Sequence, residues 1–164
     1  MDCKTKACAY ATLMPGAAMV AGYGLYFSDK SIGEWMKNSF KTKWFPENEN
    51  LLMALDIGTT IPAVLAARQM FRLGGWDHED TKLALAAYGG TWVVAMLGTL
   101  PAMKAKDDVK FFWGQLAYTV MATITAGLMF RVDAKCGLMM LPMVVWTHVC
   151  TLACSGQCCQ SCPK

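Results

Sequence analysis

Charge is scarce in this chain. Of its 164 residues only 16% are charged, against about 25% in ordinary soluble domains. Histidine is scarcer still, with two copies, His78 and His148. No HExxH, GxGxxG, GxxxxGK or GxSxG pattern occurs, and no Ser-His-Asp arrangement can be read from the spacing. Ordinary nucleophilic, nucleotide-dependent and zinc chemistry therefore find no support here. The net charge is only +3 and the basic residues form no stripe, so no nucleic-acid partner is expected. Nor do we expect a catalytic residue, a metal ligand or a cofactor.

What the chain does have is long stretches without charge. Lys6 to Asp29 encloses 22 uncharged residues, Lys82 to Lys104 encloses 21, Lys110 to Arg131 encloses 20 and Lys135 to Lys164 encloses 28. A helix crossing a bilayer needs about 20 residues, because each rises about 1.5 Å through a core about 30 Å thick. A soluble bundle would show a charged stripe on each helix; these windows show none. Four membrane spans follow, at about 7–27, 83–103, 111–130 and 137–154. A fifth, about 51–71, contains Asp56 and Arg68. Asp56 lies about 8 Å along that helix from Leu51, within reach of interfacial water, and Arg68 can snorkel at the far end. The first apolar stretch exceeds the 7–15 residues of a signal-peptide core, so it reads as a span. The expected fold is thus an all-α integral membrane protein, a five-transmembrane-helix bundle over 1–154 followed by a Cys-rich tail at 155–164.

Residues 28–50 form the longest connection and mix four lysines and four acids with Trp35, Phe40, Trp44 and Phe45. Aromatic residues among charges suit a loop at the membrane interface. With five spans the termini lie on opposite sides. Eight basic residues accompany loops one and three and the C-terminus, against six on the other side, which favours the former facing the cytosol. Ala18–Gly22 and Ala122–Ala126 have the spacing that lets membrane helices approach closely. Pro15, Pro62, Pro101 and Pro142 fall inside spans, where they kink helices and open space between them, or are simply tolerated.

Five cysteines cluster late, at Cys150, Cys154, Cys158, Cys159 and Cys162. The last three fit a soft-metal site, S-acylation beside a membrane span, or a tail of reduced thiols. Asp56 is the one acid inside a span, and such acids are functional candidates. Tyr23, Tyr26, Tyr88, Trp92, Trp113, Tyr118 and Trp146 lie in or near spans. Their flat rings suit a planar apolar ligand, or membrane anchoring and core packing. Pro142, Trp146 and Cys150 follow each other at four-residue spacing and so share one helix stripe.

Several of these features together resemble the translocator protein family, also called the tryptophan-rich sensory protein or peripheral-type benzodiazepine receptor family. Thr12-Leu13-Met14-Pro15 is similar to its first-span T-L-x-P segment. Trp35 and Trp44 keep its spacing of nine, with Lys41 between them and Pro46 completing W-x-P. Pro142 to Thr151 is similar to its P-x-x-x-W-x-x-F-A-T signature. The departures are Glu47 and Glu49, where the family has a second Pro and a Trp, Leu55 in place of a further Trp, and Thr91, Ala95 and Gly98 in place of Gln, Asn and Trp. The tail also lacks the Tyr of the family's sterol-recognition pattern.

The resemblance implies a five-helix bundle with a pocket opening toward the first loop, often assembled as a homodimer. Its implied ligands are porphyrins, sterols or similar small molecules, with membrane lipid around it. The compartment it implies is the outer mitochondrial membrane, or another intracellular or bacterial membrane. Expected ligand-binding residues are Tyr23, Trp44, Leu51, Leu55, Tyr88, Trp113, Pro142, Trp146 and Cys150. The function that follows is binding, and help in translocating, such a ligand. The alternatives are a porphyrin-degrading enzyme, which the loss of an aromatic at Leu55 disfavours, and a structural membrane protein with a degenerate pocket.

Overall fold

The computed structural model describes residues 3–40, 45–46 and 48–158, without the side chains of 3–8 and 156–158. Within them the chain forms six helices: α1 (Cys3–Ser28), α2 (Lys30–Ser39), α3 (Glu49–Leu73), α4 (Glu79–Ala105), α5 (Asp108–Val132) and α6 (Ala134–Cys158). The expectation of five helices is corrected here. The additional one, α2, lies inside the 28–50 stretch that reads as an interfacial loop. It begins where Asp29 caps it, accepting from the Ser31 N–H at 2.9 Å. Its apolar residues, Ile32 and Met36 with Phe40 just beyond its end, then fall on one face.

Three helices, α3, α4 and α6, are long and apolar enough to cross a membrane. Helices α1 and α5 match them in length, at 26 and 25 residues. Their apolar character is diluted by glycine and tyrosine in α1 and by Gln115 and three threonines in α5. The surface is inverted relative to a soluble bundle: large apolar side chains such as Val20, Leu97, Trp113, Val145 and Leu152 are each more than half exposed. The described chain is therefore an all-helical membrane protein.

The five long helices close into a ring. α4 packs most extensively on α5, and α5 on α6; α6 meets α3, α3 meets α1, and α1 returns to α4. Hydroxyl pairs hold the α4–α5–α6 side. Thr91 and Thr125 are 2.9 Å apart, Thr119 and Thr151 are 2.8 Å apart, and Thr119 also donates to the Thr147 carbonyl at 3.1 Å. In an apolar surrounding such bonds between helices fix their rotation. Where α4 crosses α5, Gly98 and Gly114 bring the two backbones together, and a side chain at either would strike the other's backbone. Further along α5, Ala122 and Ala126 are buried in the core with Leu85, Tyr88 and Trp92. A two-residue turn joins α4 to α5, with Lys106 left-handed at φ 53° and Asp107 capping α5.

Between α1 and α4 the bonds are reciprocal. Tyr10 donates to the Leu85 carbonyl at 3.0 Å, and Tyr88 donates to the Ala11 carbonyl at 2.9 Å. The Tyr10 ring crosses α4 at Gly89, where a Cβ would overlap its hydroxyl.

Helix α2 lies across one end of the ring. Ser39 donates to Asp108 at 2.6 Å, and the Lys106 ammonium donates to Ser31 at 2.6 Å, tying α2 to the α4–α5 turn. Ile32 packs with Ala102, Met103, Phe111 and Cys154. The first connection, the α4–α5 turn and the last turns of α6 thus share one end of the bundle.

Candidate functional site

The ring encloses a cavity, and α2 covers its end. It has two chambers, an inner one of about 210 Å³ and an outer one of about 410 Å³. Small-molecule sites commonly occupy roughly 300–1,000 Å³. Every helix contributes one stripe at helical spacing to the inner chamber. From α1 come Ala18, Gly22, Tyr23 and Tyr26; from α3 Asp56, Thr59 and Thr60; from α4 Trp92, Ala95 and Thr99; from α5 Phe111, Gln115 and Tyr118; from α6 Met143, Trp146, Thr147 and Cys150. Met36 and Phe40 close it from the α2 side. The outer chamber lies between α1, α2, the start of α3 and α6, and adds Phe27, Lys37, Phe45, Pro46, Glu49, Leu52 and Met53.

The two chambers meet at Asp56. Its carboxylate accepts from the Tyr23 hydroxyl at 2.5 Å and, through its other oxygen, from the Trp146 indole N–H. This bridge joins α1, α3 and α6 across the cavity, and all three residues line both chambers. Trp146 is stacked against Phe45, with ring centroids 6.0 Å apart and planes 15° from parallel. Phe45 in turn stacks on Phe40 at 5.0 Å and 13°. The result is a tier of three flat rings leading from the first connection to the bridge. At the outer chamber the Lys37 ammonium meets Glu49 at 2.5 Å. That carboxylate, by its hydrogen bond first and its charge second, raises Lys37 above the usual lysine range.

The expected ligand-binding residues are dispersed by this geometry. Tyr23, Trp146 and Cys150 come together on the cavity wall. Tyr88 is fully buried, but in the α1–α4 contact, and does not line either chamber. Trp113 is 61% exposed and turned outward. Leu51 and Leu55 lie beside the α3 stripe rather than on it, and Leu51 is 47% exposed. Pro142 is exposed, and Met143 takes the place on the wall that spacing by four would assign to it. The reason is helical geometry: each residue turns about 100°, so a row spaced by four drifts about 40° per step and leaves a narrow cavity. Trp44, like the tail residues Cys159 and Cys162, lies outside the described residues, and the Cys158 side chain is likewise not described. Among the described residues no group of three His, Cys, Asp or Glu could hold a metal ion.

Asp56 is the centre of the site, yet it is not among the expected ligand-binding residues: its signal is a lone acid in an apolar span, which its shallow position near Leu51 discounts. Gln115, Thr59 and Thr60 carried no such signal, because threonine and glutamine are ordinary packing residues of membrane helices. His148 is exposed, its Nδ1 at 2.8 Å from the Val144 carbonyl of its own helix.

Fold and site together define a helical membrane protein with an aromatic cavity enclosed by its own helices. The TspO/MBR family model matches residues 11–157, nearly the whole chain, and the chain belongs to that family. No curated protein and no solved structure matches it.

Proposed function

We propose that this protein binds a porphyrin, a sterol or a similar apolar molecule in the partitioned cavity and helps to translocate it. The observation that carries the reading is the tier of Phe40, Phe45 and Trp146 rings ending at the Tyr23–Asp56–Trp146 bridge. Parallel rings offer flat apolar contact, and the bridge offers polar groups that orient a ligand. The family resemblance supports the same ligand classes.

In this reading all five long helices cross the bilayer. Helices α1 and α5 close the ring, and each turns large apolar residues outward, Leu13 and Val20 from α1 and Trp113 and Val120 from α5. Left out of the bilayer, those faces would meet water. The compartment proposed is the outer mitochondrial membrane, where eukaryotic members of the resembled family sit, with a homodimer as the assembly.

A binding titration of purified protein with protoporphyrin and with cholesterol tests the proposal. Saturable binding of either supports it. Absence of both in folded protein removes the porphyrin and sterol assignments.

A further inference from the structure

Among the described residues the cavity holds a carboxylate without a matching cation. Among the described lining residues Lys37 is the one with a cationic side chain, and it is paired with Glu49 at 2.5 Å. The donors that reach Asp56 are both neutral, a phenol and an indole. A carboxylate presents about four acceptor sites, so roughly half of its capacity remains, and Asp56 borders both chambers. The nearby hydroxyls add no positive charge, and those of three threonines are occupied by backbone. Thr59 donates to Leu55, Thr99 to Ala95 and Thr147 to Val144, at 2.8, 2.6 and 2.9 Å. A carboxylate enclosed by apolar walls is costly unless a cation or a proton completes it. The walls themselves favour a cation, since the aromatic rings of Tyr23, Tyr26, Phe40 and Trp146 line the same chamber as Asp56.

We propose that Asp56 makes this cavity selective for lipophilic ligands that carry a protonated amine. The cationic N–H would occupy the free side of the Asp56 carboxylate while the flat body of the ligand lies along the aromatic tier. A ligand that brings a carboxylate to the same point is disfavoured by like charge. This inference rests on the reading of the cavity as a ligand site and, among the ligands proposed there, favours similar apolar molecules that carry an amine over a sterol, which has none, and over a porphyrin that would bring its carboxylates to Asp56.

Three planar probes of one shape test it: 9-aminoacridine, protonated near neutral pH, acridine, neutral there, and acridine-9-carboxylate, an anion. Each is titrated against purified protein in a neutral maltoside detergent, so that no anionic lipid contributes. Wild-type protein should bind 9-aminoacridine about tenfold or more tighter than acridine, the scale of a charge-assisted hydrogen bond, and the carboxylate weakest. In Asp56→Asn, or in Asp56→Ala should the first not fold, the ratio of aminoacridine to acridine affinity should fall to within about twofold. Equal binding of the two by wild-type protein overturns the amine selectivity and leaves the cavity a ligand site. A preference that survives in a folded Asp56 variant also overturns it, by moving the charge selection elsewhere. Binding of none of the three overturns the inference together with the cavity reading. Equal binding by wild-type protein overturns the inference even if both variants fail to fold.

Discussion

The hydroxyl of Tyr88 supplies the hydrogen bond that Pro15 cannot. In α1 the carbonyl of Ala11 would ordinarily accept from the N–H four residues on, but that residue is Pro15, which has none. Tyr88 reaches across from α4 and donates to this carbonyl at 2.9 Å. Inside a membrane protein an orphaned carbonyl has no water to turn to, so the neighbouring helix satisfies it.

Tyr88→Phe should therefore destabilise the protein by about 1–3 kcal/mol, the cost of leaving a buried acceptor unsatisfied. In a Pro15→Ala background the helix regains its own N–H, and the cost should shrink. A double-mutant cycle of unfolding in detergent reads this coupling. An equal cost in both backgrounds would show that Tyr88 acts by packing alone.

The α4–α5 crossing yields a second prediction. Gly114→Ala would place a Cβ against the Gly98 backbone, and Gly98→Ala would place one 2.9 Å from the Gly114 Cα. Neither backbone can rotate away as a side chain would, so each substitution should cost about 1–3 kcal/mol or more. Gly16→Ala and Gly127→Ala meet nothing within 4 Å and should be neutral or stabilising. If all four behave alike in thermal unfolding, the crossing is not set by these glycines.

Topology gives a third. With all five long helices crossing, single cysteines placed at Lys30 and Lys106 in a cysteine-free background should react from one face of the membrane. Single cysteines at Asp77 and Asp133 should react from the other. The Lys106–Ser31 bond already puts the first two at one end of the bundle. Labelling of Lys30→Cys and Asp77→Cys from the same face would remove the crossing of α3.

Much of this architecture could be read from the spacing of charges, because hydrocarbon tolerates so few of them. The first three charge-free windows lie within α1, α4 and α5, and the fourth covers most of α6. Helix α2 could not be read in the same way. Its ten residues mix Lys30, Glu34 and Lys37 with Ile32, Trp35 and Met36. A short amphipathic helix over a bundle end and an interfacial loop have the same composition.

At the site, residue type alone separated wall from exterior poorly. Trp146 and Trp113 are the same residue on neighbouring helices, yet one bridges to Asp56 and the other is 61% exposed. Facing is decided by how each helix is rotated in the ring, and apolar residues all round a membrane helix give no stripe to read it from. Leu55 and Asp56 make the same point from the other direction. The family comparison drew attention to the lost aromatic at Leu55, while the polar centre of the cavity is its neighbour.

The central claim is that the aromatic tier and the Asp56 bridge form a ligand site, and Trp146 belongs to both. Titrating protoporphyrin and cholesterol into wild-type, Trp146→Ala and Trp113→Ala protein tests it most directly. Trp146→Ala should weaken the bound ligand by about 1–3 kcal/mol, the scale of one large aromatic contact. Cys150→Leu should weaken it as well, by filling the space beside the indole. Trp113→Ala, which alters an outward face, should leave affinity unchanged. Wild-type affinity in folded Trp146→Ala and Cys150→Leu, or an equal loss in Trp113→Ala, would contradict the assignment of this cavity as the binding site.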